Sequence, residues 1–598
     1  MGVGFDFFRR INYFVIDAPR DGACGLKMGV CTMENKKPLP IGQSFFDAVI
    51  ENDHYYVDKT LFIRDILERK AAVTLCTRPR RFGKTLNQTM LKCFFEDTAR
   101  VGGKDTRALF RGLKIEEAGE RYLEHQGKYP VIFLSFKEAK RDTFERSYNM
   151  LRDEIAQEFK RHRYINEKIA DVKNRGLFEK LTDGDGTFDD YSTALKFLSG
   201  CLEDYHGRKA IILIDEYDVP LENSWACGFY DEMINFIRPL LSSALKDNPH
   251  LQLAVMTGCL RVSKESIFTG LNNLEIVSIL NSEYSEYFGF TQDEMDAMLG
   301  YYGQESKTQV VKDWYDGYLF GNTEVYNPWS SIKVVSSWHT NINEFPKPYW
   351  VNTSSNSIVR ELIDNADAET KAELETLMAG GTISKVIHED ITYDEVHNNA
   401  DNLWNFMFFT GYLKKVGDGR VNEDGERILD LSIPNIELKY IYKTKVQDWF
   451  KKRISEKDSR AFFDAILNGD AAAFQRELSI LLADSISFMD SAEKFYHGFM
   501  LGVLSRLDGY RVKSNRESGH GRSDLALYSV NGIDYNAAIF EFKIAKKVDM
   551  LPAASEDALK QIEDNDYAAY WDKEEGYKNI LTYGIGFCGK RCEVRKGE

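Results

Sequence analysis

No run of apolar residues in this sequence reaches the roughly 18 needed to cross a bilayer, so no membrane span is expected. The first 32 residues lack the early basic segment and the apolar core of a secretory signal. Gly2 is not followed by Ser or Thr at position 6, which argues against N-myristoylation. The nine cysteines, Cys24, Cys31, Cys76, Cys93, Cys201, Cys227, Cys259, Cys588 and Cys592, are odd in number and scattered. They fit a reducing, cytoplasmic setting better than a disulfide framework. Cys588 and Cys592 have no second pair and no nearby histidine, so no zinc site is read there. Net positive charge is also missing. At −16 the surface as a whole does not advertise nucleic-acid binding, although a local basic groove remains open.

With 598 residues the chain is long enough for about three to four domains and large cores. Its most informative stretch is Val73–Leu86, VTLCTRPRRFGKTL. A short apolar run enters a loop ending Gly83-Lys84-Thr85, and the amphipathic run Leu86–Phe95 follows, which reads as strand, phosphate loop and helix. Gly83 would let the backbone approach a phosphate, Lys84 would reach the terminal phosphates, and Thr85 would place its hydroxyl on Mg²⁺. The general pattern G-x-x-x-x-G-K-[ST] wants glycine at position 78, and this chain has Arg78.

The partner signal comes roughly 130 residues later, in Lys209–Glu216, KAIILIDE. Apolar residues ending in Asp215-Glu216 describe a buried parallel strand that delivers carboxylates at its C-terminal end. Asp215 would hold Mg²⁺ directly or through water, and Glu216 would activate the attacking water. Tyr129–Phe136 and Leu251–Thr257 read as further core strands. Thr257 would sense the terminal phosphate, and Arg261 would neutralise developing charge in cis or toward a neighbouring subunit. A helix cap and a surface ion pair are the plainer roles for these two. Asp58-Lys59-Thr60 would cap a helix over Leu61–Arg69, and the turn-rich stretch 182–190 reads as a surface loop. From 281 the pattern reads as helices. Trp314, Tyr315, Tyr318, Tyr326 and Trp329 there are read as a packed motif rather than a stacking platform for bases.

The C-terminal part changes character. Ser491–Leu507 reads as a helix carrying Glu493, with His497 one turn on. The turn NRESGHGRSD leads to Asp524, and Ala537–Lys543 reads as a strand ending Glu541-x-Lys543. Asp524 and Glu541 on adjacent hairpin strands, with Lys543 on the face of Glu541, would form a Mg²⁺-binding and water-activating cluster. Glu493 would add a third carboxylate, and Gln561, in a helix over 558–570, would orient the site. Lys513, Arg516, Arg522, Lys543, Lys546 and Lys547 supply the basic rim that a phosphate backbone requires. The plainer reading is a strand pair with an exposed Glu541–Lys543 ion pair.

Taken together, LPIGQSFFDAVIEN, YYVDKT, RPRRFGKT, ILIDEYD and TGCLRVSKESIFTGLNNL resemble the AAA-ATPase-like family found mainly in bacteria. WYDGYLFG, VYNPWS and YWVNTSSN extend the resemblance to about residue 355, and residues about 480–592 resemble the PD-(D/E)XK nuclease-like domain that accompanies this ATPase. That family commonly begins its phosphate loop RPRR, so Arg78 agrees with it. The resemblance implies an α/β fold: a P-loop NTPase parallel-sheet domain, a helical or mixed middle region and a restriction-endonuclease-like α/β domain. The expected division is an N-terminal extension over 1–32, the ATPase-like domain over 33–280, a mostly helical lid or linker over 281–480 and the nuclease-like domain over 481–598. The expected nucleotide residues are Arg80, Arg81, Phe82, Gly83, Lys84, Thr85, Leu86 and Thr257. The resemblance assigns Lys84 and Thr85 to the phosphate loop and Asp215 and Glu216 to the acidic pair. It places Asp524, Glu541 and Lys543 at the nuclease-like core, with Glu493 and Gln561 supporting.

The function expected is ATP binding and hydrolysis, with Mg²⁺, joined to Mg²⁺-dependent cleavage or binding of DNA by the C-terminal domain. The alternative is an ATP-dependent switch or scaffold with a catalytically inactive nuclease-like module. A signal-transduction NTPase that binds proteins or peptides is a further rival. A homo-oligomer or a partner protein is compatible with each.

Overall fold

The computed structural model describes residues 36–261, 273–350, 368–389, 400–444, 460–483, 493–518, 521–530, 536–567 and 579–597. The extension expected over 1–32 lies outside them. Strands β1 (Val73–Thr77), β2 (Val131–Ser135), β3 (Ala210–Asp215), β4 (Leu251–Gly258) and β5 (Leu274–Val277) form one parallel sheet in the order β2-β3-β4-β1-β5. All residues of β1 and β3 are buried, as parallel strands covered on both faces must be. Because β4 lies between β1 and β3, the C-terminal ends of all three strands open on one edge, with Cys76 beside Thr257. In open α/β sheets that edge is where ligands bind.

The helix Lys84–Phe95 follows β1, but its expected amphipathic split is absent. Asn87, Gln88 and Thr89 are buried with the apolar residues. Each has an internal partner: Asn87 Nδ2 donates to the Tyr287 carbonyl at 2.8 Å, Gln88 Nε2 to the Val255 carbonyl at 3.0 Å, and Thr89 Oγ1 accepts from Phe46 N at 3.0 Å. The helix Leu61–Arg69 forms as expected, yet the Thr60 side chain makes no cap bond to it. Asp58 Oδ1 instead accepts from Thr60 N and Oγ1, while Thr60 Oγ1 accepts from Ile115 N, so this trio ties two segments together. The loop expected over 182–190 is also shorter than it looks. Thr187 and Asp190 form a capping box that starts a helix at Phe188.

The stretch after residue 281 is not purely helical. Helices Gln292–Tyr302, Thr308–Tyr315 and Pro328–Thr340 flank a hairpin of β6 (Tyr318–Phe320) and β7 (Thr323–Val325). Gly317 and Gly321, at φ 92° and 54°, break the helical pattern on either side of β6. Tyr315, Tyr318 and Tyr326 are buried, as expected of a packed motif. Strands β8 (Ile383–Val386), β9 (Lys414–Val421) and β10 (Arg427–Ser432) form an antiparallel sheet in the order β8-β10-β9.

The last part is a mixed sheet of β11 (Tyr510–Ser518), β12 (Gly521–Ser529), β13 (Ala537–Ile544), β14 (Ile580–Cys588) and β15 (Arg591–Lys596), in sequence order. Only β13 and β14 run parallel, and the helix Leu551–Asp564 lies between them in the chain. It begins earlier than expected, with Pro552 in its first turn. A side chain at Gly584 or Gly586 would collide with the Ser555 or Leu551 carbonyl, so these glycines let the helix lie directly on β14. The expected turn NRESGHGRSD mostly belongs to β11 and β12.

Candidate nucleotide and metal sites

Three chain segments meet on the Asp215 carboxylate. Thr85 Oγ1, in the first turn of its helix, donates to Oδ2 at 2.7 Å. Thr257 Oγ1, at the end of β4, donates to Oδ1 at 2.6 Å. Asp215 is completely buried, and burial, reinforced by the charge of Glu216, pushes its pKa up against the two hydroxyl bonds and Lys84. A buried carboxylate paired with a hydroxyl is a hard-oxygen donor set, which fits Mg²⁺.

The phosphate loop is held by side chains. Gly83 has φ 82° and caps the helix, and an added Cβ would meet nothing within 4 Å. Its glycine is therefore required by backbone conformation rather than by crowding. Lys84 is buried and donates to the loop carbonyls of Arg78 and Pro79 at 3.0 Å each, and to Cys259 Sγ at 3.5 Å. Burial would lower its pKa, but Cys259, Glu216, Asp218 and Asp215 together outweigh it and the net shift is upward. A buried ammonium whose hydrogen-bond partners among the described residues are two carbonyls and a thiol fits an incoming phosphate.

The other loop residues face elsewhere. Phe82, expected at the nucleotide, is wholly buried against Tyr318 and Phe320. Arg80 pairs with Glu222 at 2.5 Å. Arg81 has φ 72° and sets its guanidinium 4.7 Å from the Trp329 ring, within the field of Glu216. Leu86 is half-buried against the core. Glu216 itself adopts a left-handed backbone, φ 53°, a conformation that costs a non-glycine residue about 1–3 kcal/mol and clusters at working sites. Arg261 is partly exposed, directly after Leu260.

In the C-terminal sheet, β12 and β13 are antiparallel neighbours. Asp524 Oδ2 accepts from Phe542 N at 2.9 Å, and Glu541 Oε2 accepts from Asp524 N at 3.2 Å, so each acid braces the other's strand. Lys543 lies on the face of Glu541, with Nζ 3.9 Å from Oε1. Gln561 joins them: its Nε2 donates to Glu541 Oε1, and its Oε1 accepts from Lys543 Nζ at 2.5 Å. His497 pairs with the Asp524 carbonyl at 3.0 Å. The side chains of Glu493, Arg516 and Arg522 lie outside the described residues. Among those described, no three His, Cys, Asp or Glu side chains gather as a metal cage, and no helix is long and apolar enough to cross a membrane. The seven described cysteines are free thiols, Cys588 and Cys592 included.

Trp329, read from sequence as part of a packed motif, lies beside Arg81, and several contributors were assigned no role from sequence: Cys259 beside Lys84, Glu222 beside Arg80, and Tyr217 and Asp218 beyond the acidic pair. Only the last two carry a signal, their adjacency to Glu216.

Residues 40–268 match the predicted AAA-ATPase family, and residues 491–597 match the PD-(D/E)XK nuclease superfamily. The chain is also 27% identical over 552 residues to an uncharacterized protein in the vnfD 5' region of Azotobacter chroococcum mcd 1. That similarity covers 89% of this chain and 93% of the other, so it takes in parts of both domains and of the segment between them. Such domains generally use a nucleotide and a divalent metal. This chain therefore joins an AAA-ATPase-like domain to a C-terminal domain of the PD-(D/E)XK nuclease superfamily.

Proposed function

We propose that the chain binds ATP with Mg²⁺ and hydrolyses it at the edge of the parallel sheet, and that its C-terminal domain acts on DNA. We take 33–280, 281–480 and 481–598 as the working division into ATPase-like, middle and nuclease-like parts. The carrying observation is the convergence of Thr85 and Thr257 on the two oxygens of Asp215. Thr85 and Asp215 would hold Mg²⁺, which supplies charge neutralisation on the phosphates. Lys84 would exchange the Arg78 and Pro79 carbonyls for phosphate oxygens. Glu216 would orient the attacking water, Thr257 would fix the carboxylate from its far side, and Arg261 would meet developing charge. ATP turnover in wild type, Lys84→Ala and Glu216→Gln tests this. We expect both variants to lose turnover by about a hundredfold or more, with only Lys84→Ala losing nucleotide affinity as well. Equal turnover in all three would end the reading.

In the C-terminal domain, Asp524 and Glu541 would hold the metal, Lys543 would stabilise charge on the phosphodiester, and Gln561 would set the distance between them. The second reading, a binding module without cleavage, is favoured by one observation. Each acid already spends one oxygen on the neighbouring strand's backbone. Metal-dependent DNA cleavage by wild type against Asp524→Ala and Glu541→Ala separates the two. Equal background in all three leaves binding alone.

A further inference from the structure

The turns that follow β3 and β4 are interlocked. Tyr217, fully buried, donates its backbone N–H to the Thr257 carbonyl at 3.1 Å and its hydroxyl to the Leu260 carbonyl at 2.7 Å. Asp218, 3% exposed, accepts from Cys259 N at 2.7 Å and Leu260 N at 3.0 Å through one oxygen, Oδ2. Gly258 closes the lock. A Cβ there would fall 2.5 Å from Tyr217 Cε1 and 2.9 Å from Asp218 Oδ1, so only glycine fits between them. The segment held this way starts at Thr257, which bonds Asp215, passes Cys259, which reaches Lys84 Nζ, and ends at Arg261.

Simple core packing would not choose this chemistry. A buried carboxylate costs more to desolvate than an amide that offers the same acceptor. What two N–H groups converging on one carboxylate oxygen provide is a fixed path for the backbone from 257 to 261. We propose that Asp218 is a positioning residue for phosphoryl transfer: by gripping Cys259 N and Leu260 N it sets the segment that carries Arg261 toward the phosphates. This rests on the ATPase reading above. Asp218 touches neither nucleotide nor water in it, and acts through its neighbours.

The test is a double-mutant cycle on the full chain, reading kcat, KM for ATP and thermal midpoint, with Lys84→Ala as the blank. Asp218→Ala should lower kcat roughly ten- to hundredfold with KM within about threefold, because the misplacement affects the reacting phosphate rather than nucleotide capture. Asp218→Asn, whose carboxamide oxygen can accept both N–H bonds, should recover most of that loss. In an Arg261→Ala background Asp218→Ala should cost little more. If Asp218→Ala gives no cooperative melt, Asp218→Ser, which keeps one acceptor, takes its place in the cycle. Additive losses with Arg261→Ala, or an Asn variant as damaged as Ala, overturn the positioning role while Lys84-dependent turnover survives. Wild-type turnover no higher than that of Lys84→Ala overturns the ATPase reading and the positioning role with it.

Discussion

Arg78 donates to the Val277 carbonyl at 2.8 Å and so fastens the end of β1 to the end of β5. Its guanidinium also donates to the Thr77 carbonyl at 2.9 Å and the Glu283 carbonyl at 3.2 Å, and lies over the rings of Phe288 and Phe320 at 5.1 and 5.2 Å. The side chain is completely buried, no carboxylate is among its described hydrogen-bond partners, and burial pulls its pKa down to about 10. Position 78 is where the general phosphate-loop pattern has glycine. Here the loop entrance is held by a side chain that grips carbonyls, rather than by backbone freedom.

Restoring the general pattern should therefore do harm. Arg78→Gly orphans buried carbonyls and empties space between two aromatic rings, which together should cost about 3–5 kcal/mol. Arg78→Lys should recover little, since one ammonium cannot span three carbonyls and stack as well. Denaturant unfolding of the three proteins checks this, and an Arg78→Gly variant as stable as wild type would refute the clamp.

The loop is also braced from the middle of the chain. Gly411, at φ 90°, sits so close to Pro79 that a Cβ would fall 2.9 Å from Pro79 Cβ and 3.1 Å from Cγ. Gly411→Ala should weaken ATP binding by roughly five- to tenfold, because about 1 kcal/mol or more of overpacking is relieved by shifting the loop. Gly425 is the control: at φ 82° it shares the backbone strain, but nothing lies within 4 Å of its Cβ position. Equal ATP affinity in the two alanine variants would show that strain alone, not the contact with Pro79, matters.

What was legible in the sequence follows from burial. β1, β3 and β4 stand out as apolar runs because the sheet covers them on both faces. β5 does not: it is a four-residue edge strand with only Val277 buried. The burial of Asn87, Gln88 and Thr89 was hidden because polar residues imply a wet face until their internal partners are known. At the sites, acids at strand ends could be read from position alone, and Thr85, Asp215 and Thr257 do meet. Arg78 and Asp218 could not be read, since each acts on backbone atoms of remote segments, which no side-chain pattern encodes.

Glu437 should make stability fall as pH rises. It is wholly buried, accepts from Ser330 Oγ at 2.9 Å and Trp350 N at 2.8 Å, and burial pushes its pKa up to about 7 against those bonds. Folded protein thus holds this proton more tightly than the unfolded chain does, from the ordinary carboxyl value up to about 7. The associated stabilisation is complete below that ordinary value and is lost as pH rises through about 7. Its size is on the order of 3 kcal/mol at 1.36 kcal/mol per pKa unit. Glu437→Gln should remove it, so the gap between variant and wild-type unfolding free energies should change between pH 5 and pH 8 in favour of the variant. Parallel curves would place the titration elsewhere.

Gln561 separates two groups that would otherwise pair. Lys543 Nζ already lies 3.9 Å from Glu541 Oε1, and the carboxamide between them takes one bond from the lysine and gives one to the acid. In Gln561→Ala the direct ion pair should close, which draws Lys543 away from any substrate phosphate and replaces the neutral amide donor on Glu541 Oε1 with a cation that competes with a metal there. Two readouts should then move together. The Mg²⁺-dependent rise in thermal midpoint should shrink, and metal-dependent action on DNA should fall about tenfold. DNA affinity without metal should change less than about threefold, because five of the six basic-rim residues, all but Lys543, are untouched. Lys543→Ala should behave differently, losing phosphate binding and lowering the salt dependence of DNA association while leaving the Mg²⁺-dependent midpoint intact. If Gln561→Ala leaves both metal readouts at wild-type values, the glutamine is packing rather than a spacer, and the Glu541–Lys543 pair needs no third residue to keep it open.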